Sequence, residues 1–443
     1  MSTGSDLPIE ERIVRLLQHL GIQRAHFAGR TASDWRGLVG AHPEVIASLT
    51  LLCPDATPPD ALRAVAPRLL TVIGDRGGAS VERVRRAMGD LSEARVVTLD
   101  DYSVAAWSDV VADRTEEVEA ALVGLLEQPA HSPQPGVASP GEDHGEVAGI
   151  SYRIRGSGPP LVLLPLALAP SQWDSLLPKL SERYCTITLG GAELGFVAIL
   201  EGRGRSAGYL RTAGSLLDEV KLQPGESVLD VGCGSGVLDR WLVRRTAGAN
   251  PVTAVDVSPY LLREAEALAV GEGLDETISF GEGNAEELPF ADDSFDVAIS
   301  VTVMEEVNAD RMLAEMVRVT RPGGRVAVIV RATDMPWWFN IPLRAEVKAK
   351  LDVPGGNVEP EGCADASLYR RFRQVGLVNV KGFPVMAAYD DARGPMARFF
   401  RNNIESLSRE EAEEAWAAVE QAEAEGTFFF AWPHHCAVGT KPN

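Results

Sequence analysis

The stretch Val228-Leu229-Asp230-Val231-Gly232-Cys233-Gly234-Ser235-Gly236 constrains this chain more than any other. Val228, Leu229 and Val231 predict a short buried strand that carries Asp230 near its end. Glycines at 232, 234 and 236 break it into a tight turn, and Val237, Leu238, Trp241 and Leu242 follow at helical spacing. A strand–glycine turn–helix unit sets bare backbone and a helix N-terminus against a small ligand. The spacing narrows that ligand. A dinucleotide fingerprint counted from Gly232 needs glycine at 237, where the chain has Val237. A phosphate cradle needs a lysine followed by Ser or Thr, which the run lacks. Asp230 disfavours a pyrophosphate and favours a cation.

The following segments extend the pattern. Pro251 to Val255 reads as a second strand ending in Asp256, 24 residues after Gly232, where an acid can accept both hydroxyls of a ribose. Ser258 and Pro259 open a helix from Tyr260 to Val270. Strands over Ile278–Phe280, Phe295–Val301 and Arg325–Val330 alternate with a loop from Gly283 to Phe290 and a helix from Ala309 to Val319. Arg321-Pro322-Gly323-Gly324 forms the turn into the last of these strands.

In order and spacing, about residues 208–443 resemble the class I S-adenosylmethionine-dependent methyltransferases, particularly the small-molecule group that includes quinone-biosynthesis and sterol methyltransferases. The resemblance implies an α/β, Rossmann-like domain with a mostly parallel seven-stranded sheet and S-adenosylmethionine as cofactor. Its sulfonium and α-ammonium suit an acidic glycine turn. The resemblance places Asp230, Gly232 and Gly234 at the methionine part of the cofactor, with Cys233 and Gly236 in the same loop. It places Asp256 at the ribose, Val257 beside the adenine, and Asn284 and Ala285 at the adenine edge. Asn284 stands where relatives often have aspartate, and its amide can still accept from the adenine amine.

Val301 to Val307 should line the methyl-transfer face. Relatives often carry a histidine there; this chain has Met304-Glu305-Glu306-Val307. Methyl transfer needs alignment and water exclusion more than side-chain chemistry, and a base only when the acceptor must lose a proton. The candidate bases are Glu305, Glu306, His434 and His435, with Asp334 as a further carboxylate. For the two glutamates the plain alternative is a solvated helix start. The segment from Asp334 through Trp337, Trp338 and Phe339 predicts either an apolar lid over the acceptor or a staple onto the core. His434, His435 and Cys436 alternate along a strand from Thr427 to Gly439, so no metal site is expected. Phe428 to Phe430 read as part of that buried strand, and Ser408 to Glu425 as a solvated acidic helix. Glu201 to Ala213 reads as a polar bridge, with a helix beginning at Leu216.

The front of the chain is different. Helices and strands alternate over residues 1–127, with strands at His26–Gly29, Ala47–Leu52, Leu69–Ile73 and Arg95–Leu99 and a closing helix from Thr115 to Leu126. This order resembles the second half of an α/β-hydrolase. Residues 128–146 form a Pro/Gly/Ser linker. Residues 147–200, with strands at Ile150–Arg155, Pro160–Leu166 and Cys185–Leu189 and a helix at Gln172–Arg183, resemble the first half of the same fold. The expectation is a circularly permuted hydrolase-like domain, tolerated because a polar linker spans the old termini. Its chemistry is missing. Thr31 stands at the nucleophile place in Gly29-Arg30-Thr31-Ala32-Ser33, Val104 at the triad histidine's place, and Gly74-Asp75-Arg76-Gly77 where the triad acid's motif belongs. Pro165-Leu166-Ala167-Leu168 replaces the oxyanion loop. A hydroxyl without a base within reach is inert at neutral pH.

A formal charge of −21 argues against nucleic acid as a partner. Five scattered cysteines and an opening stretch without a basic or apolar leader point to the cytoplasm. The most apolar run, Pro159 to Pro170, holds four prolines and is too short to span a bilayer. The expected partner is a small-molecule methyl acceptor, with the front domain as scaffold or substrate-shaping module; oligomeric state is not encoded in these patterns. Two rival readings stand beside this: a cofactor-binding module that transfers nothing, and a hydrolase with an atypical triad.

Overall fold

A computed structural model describes residues 7–54, 57–76, 78–103, 109–128, 143–352, 358–392 and 394–443. The chain divides into two units, residues 1–198 and 199–443.

The first unit is built on eight strands: β1 (Ala25–Gly29), β2 (Ile46–Leu52), β3 (Leu69–Arg76), β4 (Arg95–Ser103), β5 (His144–Val147), β6 (Ile150–Arg155), β7 (Pro160–Leu163) and β8 (Cys185–Gly190). They lie in the order β4-β3-β2-β1-β7-β8-β6-β5. Pairing is parallel from β4 to β8, and β6 runs antiparallel to both β8 and β5. All residues of β1 and β2 are buried, as expected of parallel strands covered on both faces. β1 and β7, far apart in sequence, are direct neighbours, with His26 opposite Leu161 and Ala28 opposite Leu163. Counted from β5 and wrapping round through β1 to β4, the spatial order is 1-2-4-3-5-6-7-8.

The expected helix from Gln172 to Arg183 is not continuous. It is a 3-10 turn, Pro170–Trp173, and a short helix, Leu177–Ser181. Pro178 has no N–H, and its ring clashes with the carbonyl four residues back, so one helix cannot run through it. Val104 and linker residues 129–142 lie outside the described residues.

The second unit contains β9 (Val228–Val231), β10 (Val252–Asp256), β11 (Ile278–Glu282), β12 (Phe295–Val301), β13 (Thr320–Arg331), β14 (Trp338–Phe339), β15 (Val378–Tyr389) and β16 (Phe430–Thr440). The sheet runs β11-β10-β9-β12-β13-β16, parallel as far as β13, with β14 and β15 both antiparallel to β16. The two-residue β14 makes eight strands where the sequence predicted seven. From β9 the chain proceeds outward to β10 on one side and later returns to β12 on the other. The crevice between the carboxyl ends of β9 and β12 is therefore a topological switch point, where open α/β sheets bind ligands.

Three sequence expectations fail in this unit. Residues 201–213 are helical, in the helices Gly195–Arg205 and Ala207–Val220, broken at Ser206, whose side chain caps the second by accepting from Tyr209 N. Glycines 202, 204, 208 and 214 hide the helical period. One of them is there for packing: a Cβ on Gly208 would lie 2.0 Å from the Ala388 carbonyl of β15. The acidic helix, Arg409–Ala424, is solvated on one face only, because Ala415, Ala418, Val419 and Ala422 are buried. Alanines carry too little hydrophobic signal to announce that face. The last strand begins at Phe430 and not at Thr427. Other helix starts follow their local chemistry: Ser258 accepts from Leu261 N and Asn308 from Arg311 N.

Among the described residues, no helix is long and apolar enough to cross a membrane and no group of His, Cys, Asp and Glu is disposed to hold a metal.

Candidate functional site

Gly232, Gly234 and Gly236 all adopt the left-handed region, with φ of 83°, 58° and 71°. Gly232 N and Cys233 N both donate to the Val255 carbonyl, at 2.8 and 3.0 Å, which ties the turn to the end of β10. Asp256 closes the same corner: its Oδ2 accepts from Gly234 N and its Oδ1 from Ser258 N, each at 2.9 Å. Burial pushes the Asp256 carboxyl up while these backbone donors oppose it, and burial wins. Each oxygen keeps a lone pair for a ligand hydroxyl.

The glycines have a second role that the sequence did not show. A Cβ on Gly232 would lie 2.2 Å from Val303 Cγ2, one on Gly234 2.9 Å from Leu200 Cδ1, and one on Gly236 2.8 Å from Phe280 Cε1. Three apolar side chains therefore close onto the turn.

The helix Gly195–Arg205 holds one side of the turn through charge. Glu201 accepts from Ser235 Oγ at 2.6 Å and from Arg240 Nη2 at 2.5 Å. Arg240 also donates to the Ser235 carbonyl at 2.7 Å and to Glu272 at 3.1 Å. With only 2% of its side chain exposed, this guanidinium is buried and fully committed.

A polar group of side chains collects at the carboxyl edge of β9, β12 and β13. Tyr209 is buried, with the guanidinium carbon of Arg203 5.2 Å from its ring centre. The Tyr209 hydroxyl, Thr302 Oγ1, Glu305 Oε2 and His434 Nδ1 are buried atoms without a hydrogen-bond partner in the described structure. Thr302 sits at φ 58°, an outlier for a β-branched residue and the kind of strain that gathers at functional sites. The other Glu305 oxygen accepts from Arg331 N at 2.7 Å, and burial raises the Glu305 carboxyl. Burial, with Arg203 and Arg331 nearby, drives His434 down to about 3, so its ring is neutral at physiological pH. Tyr209, Arg203 and Arg331 were not singled out by sequence, and Thr302 was covered only within the segment Val301 to Val307. They belong to no motif, and Arg203 and Tyr209 lie in the stretch read as a bridge.

Other candidates are placed differently. His435 is fully occupied, with Nε2 2.7 Å from Asp334 Oδ1 and Nδ1 2.7 Å from the Tyr369 hydroxyl. Asp334 also accepts from Ala366 N at 3.1 Å. Burial opposes ionisation of Asp334, but its hydrogen bonds to His435 and Ala366 prevail and hold its carboxyl below the usual range. His435 and Asp334 thus form a tie between β16 and the segment after β13. Glu306 is exposed and Glu305 buried, and neither starts a helix, because the next one begins at Ala309 after the Asn308 cap. The segment expected as a lid or a core staple contains an edge strand, in which Trp338 pairs with Ala431 and Phe339 with Phe430. Phe339 is interior beside Phe400, Trp337 packs edge-on against Trp432 at 5.3 Å, and Trp338 is 60% exposed. Val257 is exposed, Ala285 and Val301 are buried, and Cys233 is a buried thiol. Asn284 is exposed, and its Oδ1 accepts from Glu286 N at 2.9 Å, which fixes the loop.

The residues present suit a cationic, ribose-bearing cofactor. The turn carries acids where a nucleotide phosphate would need cations, and Asp256 offers acceptor capacity at the ribose position. The Asp239 carboxylate, buried beside Asp230, has neither oxygen partnered by a donor.

Residues 229–328 match the family model described as "Methyltransferase domain". The methyltransferase GfsG of Streptomyces halstedii is 39% identical over 127 residues, covering 28% of this chain and 45% of that protein. The methyltransferase phqN of Penicillium fellutanum is 30% identical over 176 residues, covering 40% and 51%. A ubiquinone/menaquinone biosynthesis C-methyltransferase of Legionella pneumophila is 34% identical over 141 residues, covering 32% and 53%. The chain therefore spans about half the length of the curated relatives it matches. Among solved structures, the geranyl diphosphate C-methyltransferase of Streptomyces coelicolor aligns over 52% of this chain and 79% of its own, at 15% identity and a TM-score of 0.33. The matched stretch begins one residue before Asp230 and includes the glycine turn, Asp256 and the whole of β12. Over residues 229–328 the second unit thus matches a methyltransferase domain, and the acids at its glycine turn suit S-adenosylmethionine as cofactor.

Proposed function

We propose that this protein transfers a methyl group from S-adenosylmethionine to a small, partly apolar molecule in the cytoplasm. The observation that carries the reading is the set of unpartnered buried polar atoms on Tyr209, Thr302, Glu305 and His434, gathered beside the acidic glycine turn at the switch point. Buried polar groups are normally satisfied, so such a group suits a ligand with its own donors and acceptors. The cofactor supplies a methyl group on a sulfonium, already a good leaving group. Asp256 takes the ribose hydroxyls, and the Asp230 side of the turn faces the methionine end. Val257, Asn284 and Ala285 border the adenine.

On the acceptor side, neutral His434 accepts a hydrogen bond and orients the acceptor, while Glu305 has the free oxygen to take a proton. His435, with both nitrogens occupied, holds Asp334 in place. Exposed Trp338, 5.7 Å from Phe429 between ring centres, offers an apolar surface to the acceptor. Incubation of the full chain with labelled S-adenosylmethionine and a panel of phenols, quinones and amines tests the reading. Transfer to any of them supports it; cofactor binding with no transfer across the panel favours a non-catalytic binding module.

We further infer that residues 1–127 and 147–200 are the two halves of a hydrolase-like fold in permuted order, without catalytic activity. The strand order counted from β5 and the direct β1–β7 pairing support this. The reactive positions are engaged elsewhere. Thr31 Oγ1 donates to the Leu166 carbonyl at 3.1 Å, and Gln172 Oε1 accepts from Ala167 N and Leu168 N at 3.0 and 2.7 Å. Asp75 accepts from Tyr102 N at 3.0 Å. Any background cleavage of a nitrophenyl ester should be the same in Thr31→Ala and the unaltered protein; a loss in the variant would restore the atypical-triad reading.

A further inference from the structure

Asp239 stands on the first turn of the helix Val237–Arg245 and is 1% exposed, and neither of its carboxylate oxygens has a donor from the rest of the protein. What faces it is another carboxyl, Asp230 at the end of β9, itself 3% exposed. Asp256 from β10 and the Cys233 thiol of the turn complete the surroundings, and neither supplies positive charge. Among the described residues, the cation that acts on Asp239 is Arg240 on the same helix. Its guanidinium is spent on Glu201, Glu272 and the Ser235 carbonyl, which leaves the acids without a donor of their own. Two carboxylates cannot both ionise in such a place without a counter-charge, so one proton stays between them. Burial pushes Asp239 up to about 6, and burial together with the Asp239 charge pushes Asp230 well above the usual carboxylate range.

We propose that Asp230 and Asp239 form a proton-sharing carboxyl pair that must be discharged when the cationic methionine end of the cofactor binds, making Asp239 a determinant of cofactor affinity. This rests on the methyltransferase reading above and adds a residue and a linkage to it. The α-ammonium supplies the positive charge the pair lacks, and the shared proton leaves to solvent. The sign follows directly. The free protein holds the proton at and below the pH where the pair titrates, and the cofactor-bound protein does not. Binding therefore releases a proton, and affinity rises with pH until the free pair has already ionised.

The test is calorimetric titration of the full chain with S-adenosylhomocysteine at about pH 6, in two buffers of different ionisation enthalpy, together with Kd from about pH 5.5 to about pH 8. The expected result is release of a substantial fraction of one proton and a Kd that weakens by up to about tenfold per pH unit on the acid side. In Asp239→Asn and Asp239→Ser, which can donate to Asp230 and let it ionise alone, release should fall to a small fraction of that value and the pH slope should flatten. Proton release by the unaltered protein is measured without any variant, so misfolding of both variants leaves the test standing. Binding with no proton release and a flat pH profile overturns the carboxyl-pair proposal alone. Equal release by folded, binding-competent variants also overturns it. No binding at any pH overturns the cofactor reading itself.

Discussion

The Ser235 hydroxyl donates to Glu201 Oε1 at 2.6 Å, so a side chain of the glycine turn is bonded to a helical residue 34 positions before it. The second Glu201 oxygen takes Arg240, which makes this carboxylate the joint between the helix Gly195–Arg205 and the start of the helix after the turn. Glu201→Ala should leave buried Arg240 with the Ser235 carbonyl and with Glu272 as its remaining carboxylate. Loss of one partner from a buried pair costs about 3 kcal/mol. Urea unfolding should show a lower midpoint, and S-adenosylhomocysteine should bind more weakly as Leu200 loosens from Gly234.

Asp256→Ala removes the acceptor of Gly234 N and Ser258 N as well as the ribose contact. Hydrogen bonds to a charged group contribute about 1.5–3 kcal/mol each. The Kd for S-adenosylhomocysteine should weaken by at least about tenfold in calorimetry, with Asp256→Asn intermediate because its amide oxygen still accepts.

Gly232→Ala meets two obstacles. The left-handed φ costs about 1–2 kcal/mol for a residue with a Cβ, and the contact with Val303 adds about 1–3 kcal/mol of overpacking. Gly232→Ala/Val303→Ala should recover only the second part. Full recovery of stability in the double variant, measured by urea unfolding, would contradict the assigned backbone strain.

The pH dependence of stability has two opposed contributions of known sign. His434 titrates near 3 when folded and near 6.5 when unfolded, so the unfolded chain binds more protons between these values. Stability from this group is lost as pH falls through that window, by up to about 5 kcal/mol. His434→Phe should remove this loss. Asp239 is the reverse case, raised to about 6. Its contribution is fully present below the unfolded value and is lost as pH rises through 6. Asp239→Asn should therefore stabilise the ligand-free protein at about pH 8 by up to about 3 kcal/mol and change little at about pH 4. Urea midpoints at the two pH values check both signs.

Local chemistry written along the chain determined much of the second unit. The turn after β9, the acid at the end of β10, the Ser258 cap and the helix Ala309–Val319 all rest on contacts within a few residues, so spacing alone reveals them. The same holds for the alternation of strands and helices in the first unit, where β6 and the helix Thr115–Leu126 have the predicted bounds. Contacts made across the sheet are not written that way. Arg203 and Tyr209 come from glycine-rich helices that fold because they pack on β15 and on the turn, and nothing in their own sequence marks them. Asp239 looks like an ordinary first-turn helix acid until tertiary packing buries it beside Asp230. His434 and His435, adjacent in sequence, are separated in function by the strand's alternation. One is tied between Asp334 and Tyr369; the other keeps an unpartnered nitrogen among the polar atoms beside the glycine turn. Residue order determined that a turn of this shape would form and which charge it would carry. Only the folded sheet decided which side chains share a low-dielectric space, and therefore which of them can bind or hold a proton.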